Sequence, residues 1–322
     1  MIRLSRRLAL ALLVSLAGIG TAAALDYPTR AVKWIVPYPP GGTTDVLARI
    51  VSQWLSEKMG QPFVIENKAG GGNNIGVELV VHAPPDGYTM LFVNPANGIN
   101  ATLYKNLPFD FIRDIAPVAG IVRTPNVMVI PNSVPAKSVA EFIDWCKANP
   151  GKVNMASSGS GTSVHLSGEL FKSMTGCDML HVPFKGAGPA LVGLMAGEVH
   201  VLFDNLPSSA GHIKGGRIRA LAVTSAEREP SLPGVPTVGE TVPGYEATAW
   251  FGIGMPRGTP AEIIAKVNSE MNRALADPKM QARLAELGGK PLAGTPQDFG
   301  KIIASETAKW AKVVISSGAK AE

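Results

Sequence analysis

The stretch Tyr38-Pro39-Pro40-Gly41-Gly42-Thr43-Thr44-Asp45 lies between a short apolar segment (32–36) and a strongly amphipathic one (44–59). Proline and glycine end the strand that the apolar segment predicts, and Thr43 or Thr44 can cap the helix that follows. Such a loop presents backbone N–H groups at a helix N-terminus, where the helix dipole favours an anion. The stretch therefore predicts a strand–loop–helix unit that can bind a negatively charged group.

A second loop of the same kind, Ser157-Ser158-Gly159-Ser160-Gly161-Thr162, follows more than a hundred residues later. It too lies between a strand-like segment (153–156) and a helix-like one (162–175). Two loops of this type on two halves of one chain indicate a cleft that closes on an acidic solute.

Strand-like and helix-like segments alternate from residue 32 to residue 224, which is typical of a sheet with helices on its faces. The β-rich stretch 118–130, broken at Pro125, is expected to cross between two lobes, and the strand-like segment 248–255 to return the chain. We therefore predict two α/β lobes with a ligand cleft between them. The first comprises 25–124 and 248–322, and the second comprises 125–247. Two crossings would form a hinge suited to closure around a ligand.

The first 24 residues have the features of a signal peptide. Three arginines precede an apolar run (8–20), and Ala22-Ala23-Ala24 offers a cleavage site. The run is shorter than the roughly 20 residues that a membrane-spanning helix needs. No cysteine follows it, which argues against a lipid anchor. We expect a periplasmic mature protein.

The charge of the mature chain is close to neutral. The full 322 residues carry a net charge of +5, but removing Arg3, Arg6 and Arg7 leaves 27 basic against 25 acidic residues, or +2. No cluster of Lys and Arg remains, so a nucleic-acid partner is not indicated. We expect a monomer with two cores. In an oxidising compartment, Cys146 and Cys177 could form a disulfide, and two buried thiols are the alternative.

Signatures of common enzyme and metal sites are missing. The chain contains no Gly-x-Ser-x-Gly, no phosphate-binding Gly-x-x-x-x-Gly-Lys, no complete Gly-x-Gly-x-x-Gly and no usual zinc spacing of histidines. We therefore expect a binding protein without catalytic residues, cofactor or metal.

Five polar side chains beside the predicted loops are candidates for ligand contact, each with a structural alternative. His165 could donate to a carboxylate or cap its own helix. Asp45 could pair with a ligand amino or hydroxyl group or fix its loop, and Lys185 could supply a positive charge or be a solvated surface residue. Asp204 and Asn94 end strands at the edge where α/β folds bind ligands, although turn residues are also common there.

Seven stretches together resemble the Bug-type periplasmic solute receptors of tripartite tricarboxylate transporters. They are IVPYPPGGTTD (35–45), ENKAGGG (66–72), PDGY (85–88), SSGSGTSVHL (157–166), HVPFKG (181–186), FDNLP (203–207) and RALAVT (219–224). They occur in order between residues 35 and 224, and the resemblance extends over essentially all of the mature chain. Phe184 departs from the tyrosine that the resemblance leads us to expect.

The resemblance implies a type II periplasmic-binding-protein fold that captures a small carboxylate for the permease subunits of a membrane transporter. Backbone groups and ordered water would hold the ligand. The implied contacts are Tyr38, Gly41, Gly42, Thr43, Thr44 and Asp45 in the first lobe, and Ser157, Ser158, Gly159, Thr162, His165, Lys185, Gly186 and Asp204 in the second. Two other readings use the same cleft: a periplasmic enzyme acting on a small organic acid, with His165 or Asp45 as base, and a sensory ligand-binding module.

Overall fold

The computed structural model describes residues 25–321, so the predicted signal peptide lies outside the described residues. The strands are β1 (Val32–Val36), β2 (Phe63–Asn67), β3 (Thr89–Val93), β4 (Ile115–Pro131), β5 (Val153–Ser157), β6 (Met179–Pro183), β7 (Val201–Asn205), β8 (Ile218–Val223), β9 (Thr248–Pro256) and β10 (Lys290–Pro291).

The helices alternate with these strands through much of the chain. They are α1 (Thr43–Met59), α2 (Asn74–Val81), α3 (Pro95–Leu103), α4 (Phe111–Asp114), α5 (Val139–Ala148), α6 (Ser163–Thr175), α7 (Ala187–Ala196), α8 (Leu206–Lys214), α9 (Ala261–Ala276), α10 (Pro278–Glu286) and α11 (Pro296–Ser317). Within residues 25–321, no helix is both long and apolar enough to cross a membrane.

The strands form two lobes that share β4. In the first lobe the order is β2-β1-β3-β9-β4, with β1 parallel to β2 and β3, and β9 antiparallel to β3 and β4. In the second lobe the order is β4-β7-β5-β6, and β8 also pairs with β4. Each lobe therefore has a parallel part whose strands are followed by helices, which is the α/β architecture that the sequence predicts.

Strand β4 carries the chain from one lobe to the other. Its residues 115–125 pair with β9, and its residues 126–131 pair with β7 and β8. The break expected at Pro125 is wrong, because β4 is one continuous strand. Pro125 is the last residue paired with β9, opposite Thr248, so its missing N–H falls where the strand changes partners.

Thr224 ties the two crossings together and is fully buried. The Asn126 N–H donates to Thr224 Oγ1 at 2.7 Å, and the Ala247 N–H donates to the Thr224 carbonyl at 2.9 Å. Thr224 Oγ1 in turn lies 2.6 Å from the Ala247 carbonyl oxygen. The outgoing and returning segments are thus bonded to one residue at the junction of the lobes.

The last helix contacts the cores of both lobes. Phe299 and Ile303, near its start, pack in a core of the first lobe, whereas Trp310 and Val314 pack in the largest core of the second. The final turns of α11 therefore contact the second lobe, although the sequence assigns all of 248–322 to the first lobe.

Both cysteines are free thiols buried in the second lobe. The Cys146 thiol makes a long contact of 3.9 Å with the carbonyl oxygen of Asp178, the neighbour of Cys177. The structure therefore has the buried-thiol alternative.

Candidate functional site

A small cavity lies where the lobes meet. Its volume of about 30 Å³ gives room for about one or two water-sized groups, such as the oxygens of one carboxylate. No charged side chain lines it in the part of the chain that the structure describes. The lining residues are Tyr38, Gly42, Thr43, Thr44, Asn94, Pro95, Ser158, Thr162, Ser163, Ala187, Asn205 and Phe251. We call this space the inner cavity.

Three helices direct uncapped N-termini at the inner cavity. Helix α1 follows Gly42, α7 follows Gly186 and α8 follows Asn205, and none of these residues caps its helix with a side chain. The first N–H groups of a helix have no intrahelical partner, and the helix dipole makes them a positive end. Their convergence provides an anion site without a charged side chain.

Helices α6 and α3 differ from these three helices, because a side chain at each N-terminus already accepts a backbone N–H group of the first turn. Thr162 Oγ1 accepts the His165 N–H at 3.1 Å and donates to the Gly159 carbonyl at 2.8 Å, which caps α6. Asn94 caps α3 by accepting the Ala96 N–H at 3.1 Å. Both side chains line the inner cavity, but the backbone donors behind them are already bonded.

Asp45 holds the first glycine loop from behind. Its Oδ2 accepts the Gly41 N–H at 3.1 Å and Arg49 Nε at 3.0 Å, and its Oδ1 accepts Asn67 Nδ2 at 3.1 Å. Burial alone would raise the pKa of this carboxyl, but these hydrogen bonds together hold the pKa below its ordinary value. Asp45 is thus an ionised anchor of the loop, and neither Asp45 nor Gly41 lines the cavity.

Tyr38 brings a hydroxyl to the cavity through a chain of side-chain amides. Its hydroxyl lies 3.4 Å from Asn94 Oδ1 and accepts Asn73 Nδ2 at 3.2 Å, and Asn97 Nδ2 donates to Asn73 Oδ1 at 2.8 Å. Burial raises the pKa of Tyr38 well above its ordinary value, so the hydroxyl stays protonated and can donate.

A hydrogen bond between two hydroxyl side chains crosses the cleft between the lobes. Thr43 Oγ1 and Ser208 Oγ lie 3.0 Å apart. Ser208 has one hydroxyl hydrogen, and its acceptors Asp204 Oδ2 at 2.6 Å and the Asn205 carbonyl at 2.9 Å are both in its own lobe. Thr43 is therefore the donor across the cleft.

Asp204 orients that contact without lining the cavity. Its Oδ2 also accepts the Ser209 hydroxyl at 2.6 Å, and the side chain is fully buried. Burial raises the pKa of the carboxyl to about 6, although the two serine hydroxyls oppose the rise. The carboxylate thus fixes the direction in which Ser208 donates.

His165 lies behind the second glycine loop. Its Nδ1 accepts the Gly161 N–H at 3.3 Å, and its ring stacks on His181 with centroids 4.0 Å apart. Burial, assisted by His181 and Lys172, lowers the pKa of His165 to about 3, so the imidazole is neutral. His181 Nε2 lies 2.6 Å from Ser157 Oγ, which also accepts the Gly159 N–H at 3.1 Å. Ser157 and His165 therefore support the loop and line no described cavity.

A larger chamber of about 520 Å³ adjoins the inner cavity and shares the walls Tyr38, Ser158 and Thr162 with it. Gly159 and Lys185 line this outer chamber. The other lining residues are Pro37, Pro39, Ala69, Gly70, Gly71, Gly72, Asn73, Tyr104, Ser160, Pro183 and Phe184. Gly186 lies beside it against Pro39, and its φ of +123° is a conformation that favours glycine.

The structure brings seven of the sequence-predicted residues to the inner cavity. They are Tyr38, Gly42, Thr43, Thr44, Asn94, Ser158 and Thr162. Sequence reasoning missed the other five residues that line the inner cavity, Pro95, Ser163, Ala187, Asn205 and Phe251. One signal was available. Neighbouring side chains in a strand point to opposite faces. The sequence analysis selected the charged Asp204 at the end of β7, whereas the next residue, Asn205, is the one that faces the cavity.

Within residues 25–321, no group of three or more His, Cys, Asp or Glu side chains is arranged to hold a metal ion. The polar groups at the cleft are instead hydroxyls, amides and backbone N–H groups, which can bind and orient an anion.

Residues 47–318 match the family described as Tripartite tricarboxylate transporter family receptor. Among related sequences, Protein BugT of Bordetella pertussis is 37% identical over 311 residues, which cover 95% of each chain. A protein in the tcbD-tcbE intergenic region of Pseudomonas sp. (strain P51) is 38% identical over 291 residues, covering 90% of this chain and 87% of that one.

Solved structures agree with this match. The R. palustris protein Rpa4515, solved with adipate, superposes with a TM-score of 0.90 at 41% identity, covering 92% of this chain and all of that one. MatC from Rhodopseudomonas palustris, solved with malate, has a TM-score of 0.85 at 32% identity and covers 89% of this chain and all of that one. The two-lobed α/β fold is that of the periplasmic binding proteins, and the chain belongs to the tripartite tricarboxylate transporter family of receptors.

Proposed function

We propose that the protein captures a small carboxylate in the cleft between its lobes and delivers it to the permease subunits of a tripartite tricarboxylate transporter. The observation that carries the proposal is the convergence of three uncapped helix N-termini on the inner cavity. Adipate and malate are the acids bound by the two R. palustris relatives, which supports a carboxylate as the ligand class.

The physical argument concerns how an anion can be held without a cation. Oriented N–H dipoles of α1, α7 and α8 stabilise a carboxylate while leaving no buried positive charge when the ligand departs. The hydroxyls of Tyr38, Thr44 and Ser158 add donors, directly or through bridging waters. Closure of the lobes removes bulk water and strengthens each of these bonds.

Capture would proceed by closure about β4 and β9. We assign residues 25–124 and 248–322 to the first lobe and 125–247 to the second, on the grounds that β4 changes partners after Pro125. The contact between Thr43 and Ser208 would form as the cleft closes. The receptor would act as a periplasmic monomer, exported by the signal peptide at 1–24, and would release its ligand to the permease chemically unchanged.

A thermal-shift panel tests the proposal. The mature protein, unfolded and refolded to remove carried ligand, is heated with mono-, di- and tricarboxylates, acidic amino acids and aromatic acids. An acid at 100 times its Kd should stabilise the protein by about 2.7 kcal/mol, which raises Tm by about 4 °C for a chain of this size.

Mass spectrometry of the recovered acid separates a receptor from an enzyme. A stabilising acid recovered unchanged supports the receptor. Conversion of the acid would favour the enzyme alternative, and no shift with any acid would refute carboxylate capture.

A further inference from the structure

The two cysteines of the chain, Cys146 and Cys177, lie together in the core of the second lobe. Cys146 is fully buried in α5, and Cys177 is buried in the connection between α6 and β6. Cys146 Sγ lies 3.9 Å from the carbonyl oxygen of Asp178, the residue after Cys177. Both side chains lie outside the inner cavity and the outer chamber, so ligand capture does not account for the pair.

The register of two strands brings the cysteines to one end of the sheet. Strands β5 and β6 are parallel, and Val153 pairs with Met179 where both strands begin. Cys177 lies just before β6. Cys146 lies in the last turn of α5, and a hydrogen-bonded turn over 149–152 leads from α5 into β5. The approach of the two cysteines therefore depends on the sheet and not on a flexible loop.

The two thiols interact directly. A hydrogen bond between them raises the pKa of Cys146, which burial raises further, and lowers the pKa of Cys177. The Thr175 hydroxyl and the positive charge of Lys147 also lower the pKa of Cys177, against the effect of burial. Cys177 therefore forms a thiolate more readily than its partner, and the thiolate is the reactive form of cysteine. An activated thiol beside a second thiol is the arrangement that oxidation to a disulfide requires.

We propose that Cys146 and Cys177 form a disulfide bond in the exported protein. The structure holds the reduced pair, and each cysteine has only the other as a partner within the chain. The bond closes the segment 146–177, which contains β5, the second glycine loop and α6. The inference goes beyond carboxylate capture and rests on the proposed export, because disulfides persist in oxidising compartments.

The oxidation is an exchange with a disulfide of a periplasmic protein. The Cys177 thiolate attacks one sulfur of that disulfide, and the other sulfur leaves with the electron pair and takes up the proton that Cys177 lost. Cys146 then loses its proton and attacks the Cys177 sulfur of the mixed disulfide, and the second sulfur of the oxidant leaves and takes up that proton. The two cysteine thiols are thereby oxidised, and the oxidant is reduced to a dithiol. Because both cysteines are buried in the folded protein, the exchange precedes the docking of α5 onto the core.

Mass spectrometry of the exported protein tests the inference. The full chain is expressed with its signal peptide, purified from the periplasm without reductant, and unfolded in guanidinium chloride with N-ethylmaleimide. We expect a protein without maleimide adducts, whose mass is lower than that of the reduced chain by two hydrogen atoms. Reduction before this treatment should make both thiols available for alkylation. Peptide mapping should recover Cys146 and Cys177 in one cross-linked pair of peptides.

Thermal unfolding measures what the bond contributes. Reduction should lower Tm by about 5–10 °C, because a cross-link restricts the unfolded chain. The double variant Cys146→Ala/Cys177→Ala is the control, and its Tm should be the same with and without reductant. Carboxylate affinity should be the same in the oxidised and the reduced protein, because neither cysteine lines the inner cavity or the outer chamber.

Two results for the exported protein would overturn the inference. They are two alkylated thiols without prior reduction, and a disulfide-linked dimer on a non-reducing gel. Either result would leave carboxylate capture intact, because the thermal-shift panel measures capture separately.

A second arm does not depend on export. The mature protein is unfolded, reduced and then refolded in a mixture of reduced and oxidised glutathione. Formation of the Cys146–Cys177 bond in this mixture would support the inference. Two free thiols after refolding would overturn it, whether or not the chain is exported.

Discussion

The two glycine loops look alike in sequence but use their backbone donors differently. The Gly41-Gly42 loop leaves α1 without a side-chain cap, because Asp45 bonds the Gly41 N–H and leaves the first helical turn open. The Gly159–Gly161 loop satisfies its own donors, because Thr162 caps α6 and His165 accepts the Gly161 N–H. Glycine content predicts a loop that can approach an anion, but the capping state decides which loop supplies the N–H groups.

The largest expected effect comes from capping the open helix. Gly42→Asp places a carboxylate at the N-cap of α1, where it accepts the free N–H groups and repels an anionic ligand. At about 4 Å, like charges near a protein surface repel by about 4 kcal/mol, so affinity should fall about 1,000-fold in calorimetry. Stability should change by only a few tenths of a kcal/mol, because glycine is itself an acceptable N-cap.

Gly42→Ala is the control for this substitution. Gly42 has a φ of −87°, and an added Cβ would meet Ala187 at an ordinary 3.6 Å. Alanine should therefore keep most of the affinity. Unchanged binding in Gly42→Asp would show that the α1 terminus does not hold the ligand.

The buried histidines behind the second loop should make the free energy of unfolding depend on pH in the acidic range. Burial lowers the pKa of His165 from about 6.5 to about 3 and that of His181 to about 4. Protons then bind the unfolded chain first, so stability falls as pH drops below about 6.5. Asp204 acts oppositely: its pKa is raised to about 6, so its ionisation costs stability at neutral pH, and that cost disappears as pH falls.

The effect of the two histidines on the free energy of unfolding should outweigh that of Asp204, because their two pKa shifts together exceed the shift of the single carboxyl. We expect a net loss of about 3 kcal/mol between pH 7 and pH 4, measured by denaturant unfolding at each pH. The double variant His165→Gln/His181→Gln should remove most of this loss. A wild-type protein that becomes more stable toward pH 4 would contradict the neutral, buried histidines.

Removing the cap of the second loop should affect stability more than binding. Thr162→Ala deletes the hydroxyl that accepts the His165 N–H, at a cost of about 1 kcal/mol. Thr162→Ser keeps that hydroxyl and should restore stability. Affinity should change less than about threefold, because the hydroxyl already bonds within its loop. A tenfold loss of affinity would indicate that the second loop binds the anion directly.

The hydrogen bond between Thr43 and Ser208 should have the smallest effect. Ser208→Ala removes the acceptor of Thr43 across the cleft, and loss of one such bond should weaken ligand binding about two- to fivefold. The dissociation rate, measured by stopped-flow fluorescence, should rise by the same factor, because the bond joins the two lobes across the cleft. Ser209→Ala is the control, because the Ser209 hydroxyl also bonds Asp204 but does not reach Thr43. Equal effects of both variants would show that the lost hydrogen bond to Asp204, and not the bond to Thr43, weakens ligand binding.

Much of the fold was predictable from the sequence, since alternation, proline and glycine identify the strand–loop–helix units and the crossing near Pro125. The roles of individual side chains were less accessible. Asp204 and Asn205, or Ser157 and Ser158, differ only in the face of the chain on which they lie, and that depends on where each strand ends. The neutral His165 depends on burial by other elements, which its local sequence does not report.

A crystal structure of the protein with its tightest-binding carboxylate ligand tests the central claim most directly. The account predicts carboxylate oxygens about 2.7–3.2 Å from N–H groups in the first turns of α1 and α7, with the Gly161 and His165 N–H groups still bonded to His165 Nδ1 and Thr162. A carboxylate bound instead by the N–H groups of the Gly159–Gly161 loop, with Thr162 displaced from its cap, would contradict it.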